Sequence, residues 1–413
     1  MRVACVTPDS EWSRRELLKS VGTGAVALAA GAAISERISA YIVGADSDAG
    51  AVAASSVSET APRSIDLSAH TPWHLVRGTF SDARVESLHA RDDVGFVQPD
   101  RWLETSTVSS DHDPTVPWGV ARIGSTVVQD AGRTVSGIDI GVIDTGIDPT
   151  QPAIEANVAP PADADAHEAW VDCQGSGCDY AWSDDSGHGT HVAGTAAATA
   201  DATGTLGVAP AATLHALKVC DGAGRCRTSA AATAVRYAAD RGWDVVNLSL
   251  GSPRPSPALR AAGEYALDSG VVPIAAAGNQ GRAGSVNYPA AYDAFVGVAA
   301  TTIDDEIGRF SSRGPAVDIA APGTDICAPI PEGYATRSGT SMAAPHVSGA
   351  VAHVIADGAS PTDARRRLLE TAEDLGRPAT EQGAGLVDVA AALGYDHDGD
   401  TGDGVRCPTA VSR

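Results

Sequence analysis

The sequence predicts an α/β fold, a parallel sheet with helices on both faces, preceded by a smaller α/β unit. Three observations carry that expectation. Apolar strand-like runs at 213–219, 245–250, 271–277 and 295–300 alternate with helical patterns such as 228–241 and 256–269, the rhythm of a parallel sheet with crossover helices. A β-branched run, 138–147, ends in Asp144 and a glycine turn. Two small-residue stretches, 186–194 around His188 and 339–349 around Ser341, read as tightly packed helix starts. A strand-end acid can reach a helix-start histidine at the carboxyl end of such a sheet, where these folds place their ligand crevice.

Taken from its beginning, the chain opens on a targeting segment, residues 1–34. Ser13-Arg14-Arg15-Glu16-Leu17-Leu18-Lys19 matches the twin-arginine export pattern, and the apolar run 21–34 follows it. That run is shorter than the roughly 20 residues a bilayer span needs, so it reads as a signal segment rather than an anchor. Residues 35–110 differ in character. Tyr41-Ile42-Val43-Gly44 reads as a strand, the Ala/Ser/Asp-rich stretch after it as loosely ordered chain, and 94–100 as a strand ending in a turn.

Composition narrows the partners. The 413 residues carry a formal charge of −23, which argues against nucleic acid and anionic membrane. Lysine is confined to Lys19 and Lys218. An acidic, lysine-poor, Ala/Gly-rich chain resembles proteins of halophilic archaea, whose carboxylates hold water in concentrated salt; an acidic exoprotein from a GC-rich genome is the alternative.

The chemistry lies in the order Asp144, His188, Ser341. Serine is a weak nucleophile that needs a positioned base, and the base needs an orienting acid. At a helix start, Ser341 has free backbone N–H groups and the positive end of the dipole beside its hydroxyl, which suits a reaction that develops an oxyanion. Pro345 is expected within the first turn, where no N–H is required. A plain capping serine is the simpler reading for Ser341 alone.

Together these stretches resemble the subtilisin family of serine proteases (subtilases, peptidase S8) over about 116–393, in particular the halolysin-type secreted members. The resemblance implies a three-layer subtilisin-like fold, with Asp144 as orienting acid, His188 as general base and Ser341 as nucleophile. It also implies Asn279 as side-chain oxyanion donor, while His191 and His346 are expected to be structural. Residues 35–110 then stand where the family carries a propeptide, an inhibitor and folding aid, with processing expected between about 105 and 113. The catalytic domain is 111–393 and an acidic tail 394–413 follows. The stretches 310–315 and 317–323 are expected to be turns near the site.

The resemblance also outlines a groove for peptide and protein substrates. Ser249, Leu250 and Gly251 form one wall, Ala277 and Gly278 the other, with Asn287 at the base and Gly222 and Gly224 on the outer edge. Backbone pairing of an extended peptide tolerates many sequences, and no carboxylate lies in these segments, so a neutral or apolar residue is expected before the cut. A catalytically silent binding or surface protein on the same fold is the alternative. An esterase would show Gly-x-Ser-x-Gly, which is absent around Ser341. A monomer is expected.

Of seven cysteines, Cys5 precedes the export motif. The six that remain suggest disulfides in an exported protein, with Cys173–Cys178 and Cys220–Cys226 as local pairs and Cys327 left for Cys407. Six cysteines allow 15 connectivities, and a zinc site built from the two local pairs is the alternative. No cofactor is required for the chemistry. The family's structural calcium would use Asp201 in the loop 199–205, but its other side-chain ligands fall on Ala153 and Pro114, so the site is incomplete unless Gln151 or Asp113 substitutes.

Overall fold

The computed structural model describes residues 38–105, 117–175, 177–199 and 206–399. The stretch 1–34 expected to direct export, Asp113, Pro114, Asp201 and Cys407 therefore lie outside the described residues.

The first elements are β1 (Ile38–Ala45), α1 (Asp48–Ser56), β2 (Arg63–Asp66), β3 (His74–Ser81), α2 (Asp82–His89), β4 (Val94–Pro99) and β5 (Trp102–Thr105). The stretch expected to be loosely ordered is helix α1. Ser47 caps it by accepting from Gly50 N at 3.1 Å, and alanine-rich composition does the rest. Strands β1 to β4 form an antiparallel sheet in the order β2-β3-β1-β4. Its two faces follow the strand alternation. Val43 and Val76 pack with Ala54, Phe80 and Leu88, whereas Ile42, Ile65 and Leu75 belong to a core beyond this unit.

Next come α3 (Trp118–Arg122), α4 (Ser125–Asp130), β6 (Asp139–Asp144), β7 (Glu168–Ala169), α5 (His188–Ala197), β8 (Thr213–Lys218) and β9 (Arg225–Arg227). They are followed by α6 (Thr228–Asp240), β10 (Val245–Leu248), β11 (Leu250–Gly251), α7 (Pro257–Asp268), β12 (Val272–Ala276) and β13 (Val296–Thr301). The chain ends with β14 (Ile319–Pro322), β15 (Ile326–Ile330), β16 (Gly333–Arg337), α8 (Thr340–Ala356), α9 (Pro361–Glu370), α10 (Ala379–Gln382) and α11 (Val389–Ala392).

Seven strands make one sheet in the order β14-β13-β12-β10-β6-β8-β7, every neighbouring pair parallel. Both faces are covered, so the strands read as continuous apolar runs rather than alternating ones. Ile140, Val142, Leu214 and Ile274 face a core built with α5 and α8, while Ile143, Leu217, Val246 and Ala275 face α6 and α7. These are the three layers. The β1–β4 sheet lays Ile42, Ile65 and Leu75 on the α6/α7 side.

The run 317–323, expected to be a turn, contains β14, paired with β13 from Val298↔Ile319 to Thr301↔Pro322. Its small residues hid it: Ala320 and Ala321 are fully buried, and the strand lacks the bulky β-branched signature.

Candidate active site

Strand β6 delivers Asp144 to the carboxyl edge of the sheet, and the chain turns at once through Gly146. That glycine has φ +110°, and a Cβ there would lie 2.5 Å from the Trp182 carbonyl oxygen. Helix α5 starts immediately beside this turn, since a Cβ on Gly189 would fall 2.0 Å from the Gly146 oxygen. The close approach brings His188 onto Asp144. Nδ1–H of His188 donates to Asp144 Oδ1 at 2.7 Å, and Thr145 N donates to the same oxygen at 2.7 Å. With the proton on Nδ1, Nε2 is the acceptor; it is buried and has no hydrogen-bond partner among the described residues.

A second carboxylate ties the two elements together. Asp184 Oδ1 accepts from Thr145 Oγ1 (2.8 Å), Ser186 N (2.9 Å) and Gly187 N (2.9 Å), and Oδ2 accepts from Thr190 N (2.8 Å) and Thr190 Oγ1 (2.7 Å). It thereby satisfies free N–H groups at the start of α5. Beside it Lys218, fully buried at the end of β8, reaches Asp185 Oδ1 at 2.6 Å and the Thr145 carbonyl. A buried ammonium is tolerable only with such partners. Asp184 and Lys218 escaped the sequence reading; an acid four residues before a helix-start histidine was the available signal for the first.

Ser341 lies in the first turn of α8, after Gly339, and is fully buried. Pro345 is not in that turn but one turn on, inside the helix. The ring leaves no N–H for the Ser341 carbonyl four residues back. Ser249 Oγ fills the gap, donating to that carbonyl at 2.8 Å, and Ser341 Oγ donates to the Ser249 carbonyl at 3.0 Å. Asn279 is fixed from the same turn. Its Oδ1 accepts from Thr340 N (3.0 Å) and Thr340 Oγ1 (2.9 Å), which leaves Nδ2 buried without a partner among the described residues. The structure thus joins Asp144 to His188, and Asn279 and Ser249 to the Ser341 turn. Helices α5 and α8 share one core.

His191 and His346 are buried and bonded to backbone carbonyls of Ile326, Ala335 and Met342. Burial pushes His191 well below the usual histidine range and His346 down to about 4.

The cleft expected to take a substrate strand is occupied by the chain itself. Strand β5 lies between β11 and β9, antiparallel to both, with Thr105 opposite Leu250, Glu104 opposite Gly251 and Leu103 opposite Cys226. Leu103 is buried in the α6/α7 core. The edge strand facing β5 is 225–227; Gly222 and Gly224 fall in the turn before it, Gly224 with φ +72°. Arg225 and Arg227 were not singled out by sequence, because they follow the glycines that the resemblance matched. On the other side, a Cβ on Gly278 would meet Asn287 Nδ2 at 2.7 Å and one on Gly251 would meet Asn287 Cβ at 3.0 Å. Asn287 therefore stands between the walls formed by Gly251 and by Ala277 and Gly278.

Disulfides join Cys173 to Cys178 and Cys220 to Cys226. The second ties β9 to the end of β6, since Cys220 N donates to the Asp144 carbonyl at 3.1 Å. Cys327 is also disulfide-bonded, with its partner outside the described residues. No group of three or more His, Cys, Asp or Glu suited to a metal occurs among the described residues. Of the two positions expected to rebuild a calcium site, Asp113 lies outside the described residues, and Gln151 spends Oε1 on Ala153 N and Nε2 on the Ile330 and Gly333 carbonyls.

No described helix is long and apolar enough to cross a membrane. Residues 135–386 match the model of the subtilase family, peptidase S8. The chain is 37% identical over 320 residues to subtilisin E of Bacillus subtilis (strain 168), covering 76% of this chain and 79% of that one. It is 39% identical over 284 residues to subtilisin DY of Bacillus licheniformis, covering 67% and 98%. An alkaline protease of Shouchella clausii is 38% identical over 311 residues, covering 75% and 76%.

Proposed function

The chain belongs to the subtilase family and is a serine endopeptidase, and we propose that it is a secreted one that cuts peptide bonds through Asp144, His188 and Ser341. The observation that carries this reading is a buried pair of unmatched polar atoms, the acceptor Nε2 of His188 and the donor Nδ2 of Asn279. Leaving such groups unpaired costs about 1–3 kcal/mol each, a cost that a reacting substrate would remove.

In this mechanism Ser341 Oγ attacks the substrate carbonyl while His188 Nε2 takes its proton. Asp144 holds the imidazole tautomer and stabilises the imidazolium. The oxyanion is held by Asn279 Nδ2 and the Ser341 backbone N–H. His188 then protonates the leaving amine, and water, deprotonated by the same base, releases the acyl group as a carboxylic acid. No cofactor enters any step.

Residues 35–110 are proposed as a propeptide, 111–393 as the catalytic domain and 394–413 as a tail, with residues 1–34 directing twin-arginine export. Strand β5 supports the inhibitory part of this reading, because it occupies the groove a substrate strand would need. The register supports a subsite order. Thr105 faces Leu250, so a substrate strand in the same register presents its next residue opposite Ser249, beside Ser341. That residue precedes the cut, and the residue in the place of Leu103 is the fourth before it, where an apolar side chain is favoured.

Ser341→Ala tests the proposal. The full chain carrying it is expected to accumulate uncut, to resist labelling by a fluorophosphonate and to lose casein hydrolysis by several orders of magnitude. Normal maturation and casein cleavage by that variant would overturn it.

A further inference from the structure

The groove strand β5 has two faces. Leu103 points into the core with Cys226 and Leu250, whereas Trp102 is 45% exposed on the outer face, with Arg225 and Arg227 of β9. The register sets Trp102 opposite Arg227 and Glu104 opposite Arg225. The Arg227 guanidinium carbon lies 4.0 Å from the Trp102 ring centroid and that of Arg225 lies 5.5 Å away. Both distances are within cation–π range, and the nearer one is a stacked contact.

The two arginines are not equivalent. Arg225 gives Nε and Nη2 to Asp221 Oδ2 at 2.9 and 2.7 Å, so its charge is already answered. Arg227 has no carboxylate partner among the described side chains. It borders a cavity of about 540 Å³ that is also lined by Arg63, Arg77, Trp102 and Trp170. Its strongest described contact is therefore an aromatic face. Arg77 is paired with Asp100 at 3.1 Å, which leaves Arg63 and Arg227 as the cations of this cavity without a carboxylate partner among the described side chains.

We propose that Arg227 is a specificity-determining residue that selects an aromatic side chain at the fifth residue before the cut. The proposal rests on the reading of the groove given above. Trp102 stands one residue before Leu103, whose place corresponds to the fourth residue before the cut. Backbone pairing with β9 and β11 holds any strand in that register. Arg227, Cys226 and Leu250 all lie within the proposed catalytic domain, so the guanidinium stays at the groove after the β5 segment leaves. The ring it now covers is the chain's own stand-in for the substrate side chain.

The test uses enzyme produced from the full chain and three fluorogenic amides: Trp-Leu-Glu-Thr-Ser, Ala-Leu-Glu-Thr-Ser and Leu-Glu-Thr-Ser. The wild type is expected to prefer the tryptophan peptide over the alanine peptide by about three- to tenfold in kcat/KM. Arg227→Met should bring that ratio close to unity, read within the variant so that any general change in kcat/KM, measured on Leu-Glu-Thr-Ser, cancels. Arg227→Lys should keep part of the preference, and Arg225→Met most of it. An unchanged Trp/Ala ratio in Arg227→Met, with Leu-Glu-Thr-Ser still cleaved, overturns the proposal alone. Failure of the wild type to cleave any of the three overturns the groove reading and this proposal with it.

Discussion

Ser249 and Ser341 hold each other reciprocally: the hydroxyl of each donates to the backbone carbonyl of the other, at 2.8 and 3.0 Å. One half of the exchange exists because Pro345 cannot donate to Ser341. Ser249→Ala should therefore remove a hydrogen bond from a buried carbonyl at the start of α8, a loss of about 0.5–1.5 kcal/mol. Part of that loss should appear as misplacement of the nucleophile. The expected result is a fall in kcat/KM of up to about tenfold, with a small drop in melting temperature. Wild-type kinetics in this variant would show that the exchange does not position Ser341.

Asp184 should matter more to the fold than its distance from the reacting atoms suggests. It accepts five hydrogen bonds that clamp the Asp144 turn to the start of α5. Asp184→Ala is expected to cost on the order of 3 kcal/mol or more, and activity should fall with it. Asp184→Asn keeps an acceptor oxygen and should recover part of both. Chemical denaturation read beside kcat separates the two losses.

The Lys218–Asp185 pair makes a different prediction. Lys218→Met strands a carboxylate that is almost wholly buried, which costs about 3–5 kcal/mol. The double change Lys218→Met with Asp185→Asn should be less harmful than the single one. A non-additive double-mutant cycle would show it.

Acid should destabilise the protein through its buried neutral histidines. Burial pushes His167 down to about 4; its Nδ1 accepts from Ala216 N and its Nε2 donates to the Ala159 carbonyl. His346 is also lowered to about 4, and His191 and His353 are lowered for the same reason. A histidine whose folded value lies below the unfolded 6.5 contributes stability that is complete above 6.5 and lost as pH falls through the folded value. For His167 the difference is on the order of 3 kcal/mol. Melting temperature should be flat above about pH 7 and fall steadily toward pH 4. His167→Gln should start lower and fall less.

Much of the fold was legible because its elements are locally consistent. Strands β8, β10, β12 and β13 and helices α6 and α7 came within one or two residues of their positions, each with a clear period or apolar run. Strand β14 was not, since alanine carries no strand signal. Helix α1 was missed because a short Ala/Ser stretch reads equally well as loop. Asp144, His188, Ser341 and Asn279 were visible as motifs. Lys218 and Arg227 were not, because their partners are distant in sequence, and Asp184 was passed over although most of its hydrogen bonds are local, to residues 186–190. A buried lysine looks like any other in a string of letters until its partners are known.

That lysine has a practical consequence. Apart from Lys19 near the N-terminus, Lys218 is the protein's sole source of a side-chain amine, and it is sealed in the interior. If residues 1–34 are removed as proposed, amine-directed dyes, crosslinkers and resins should find a single reactive group on the native molecule, its α-amino terminus. Each cleavage proposed above would exchange that terminus for a new one. A one-to-one tag would therefore report which end the protein currently wears.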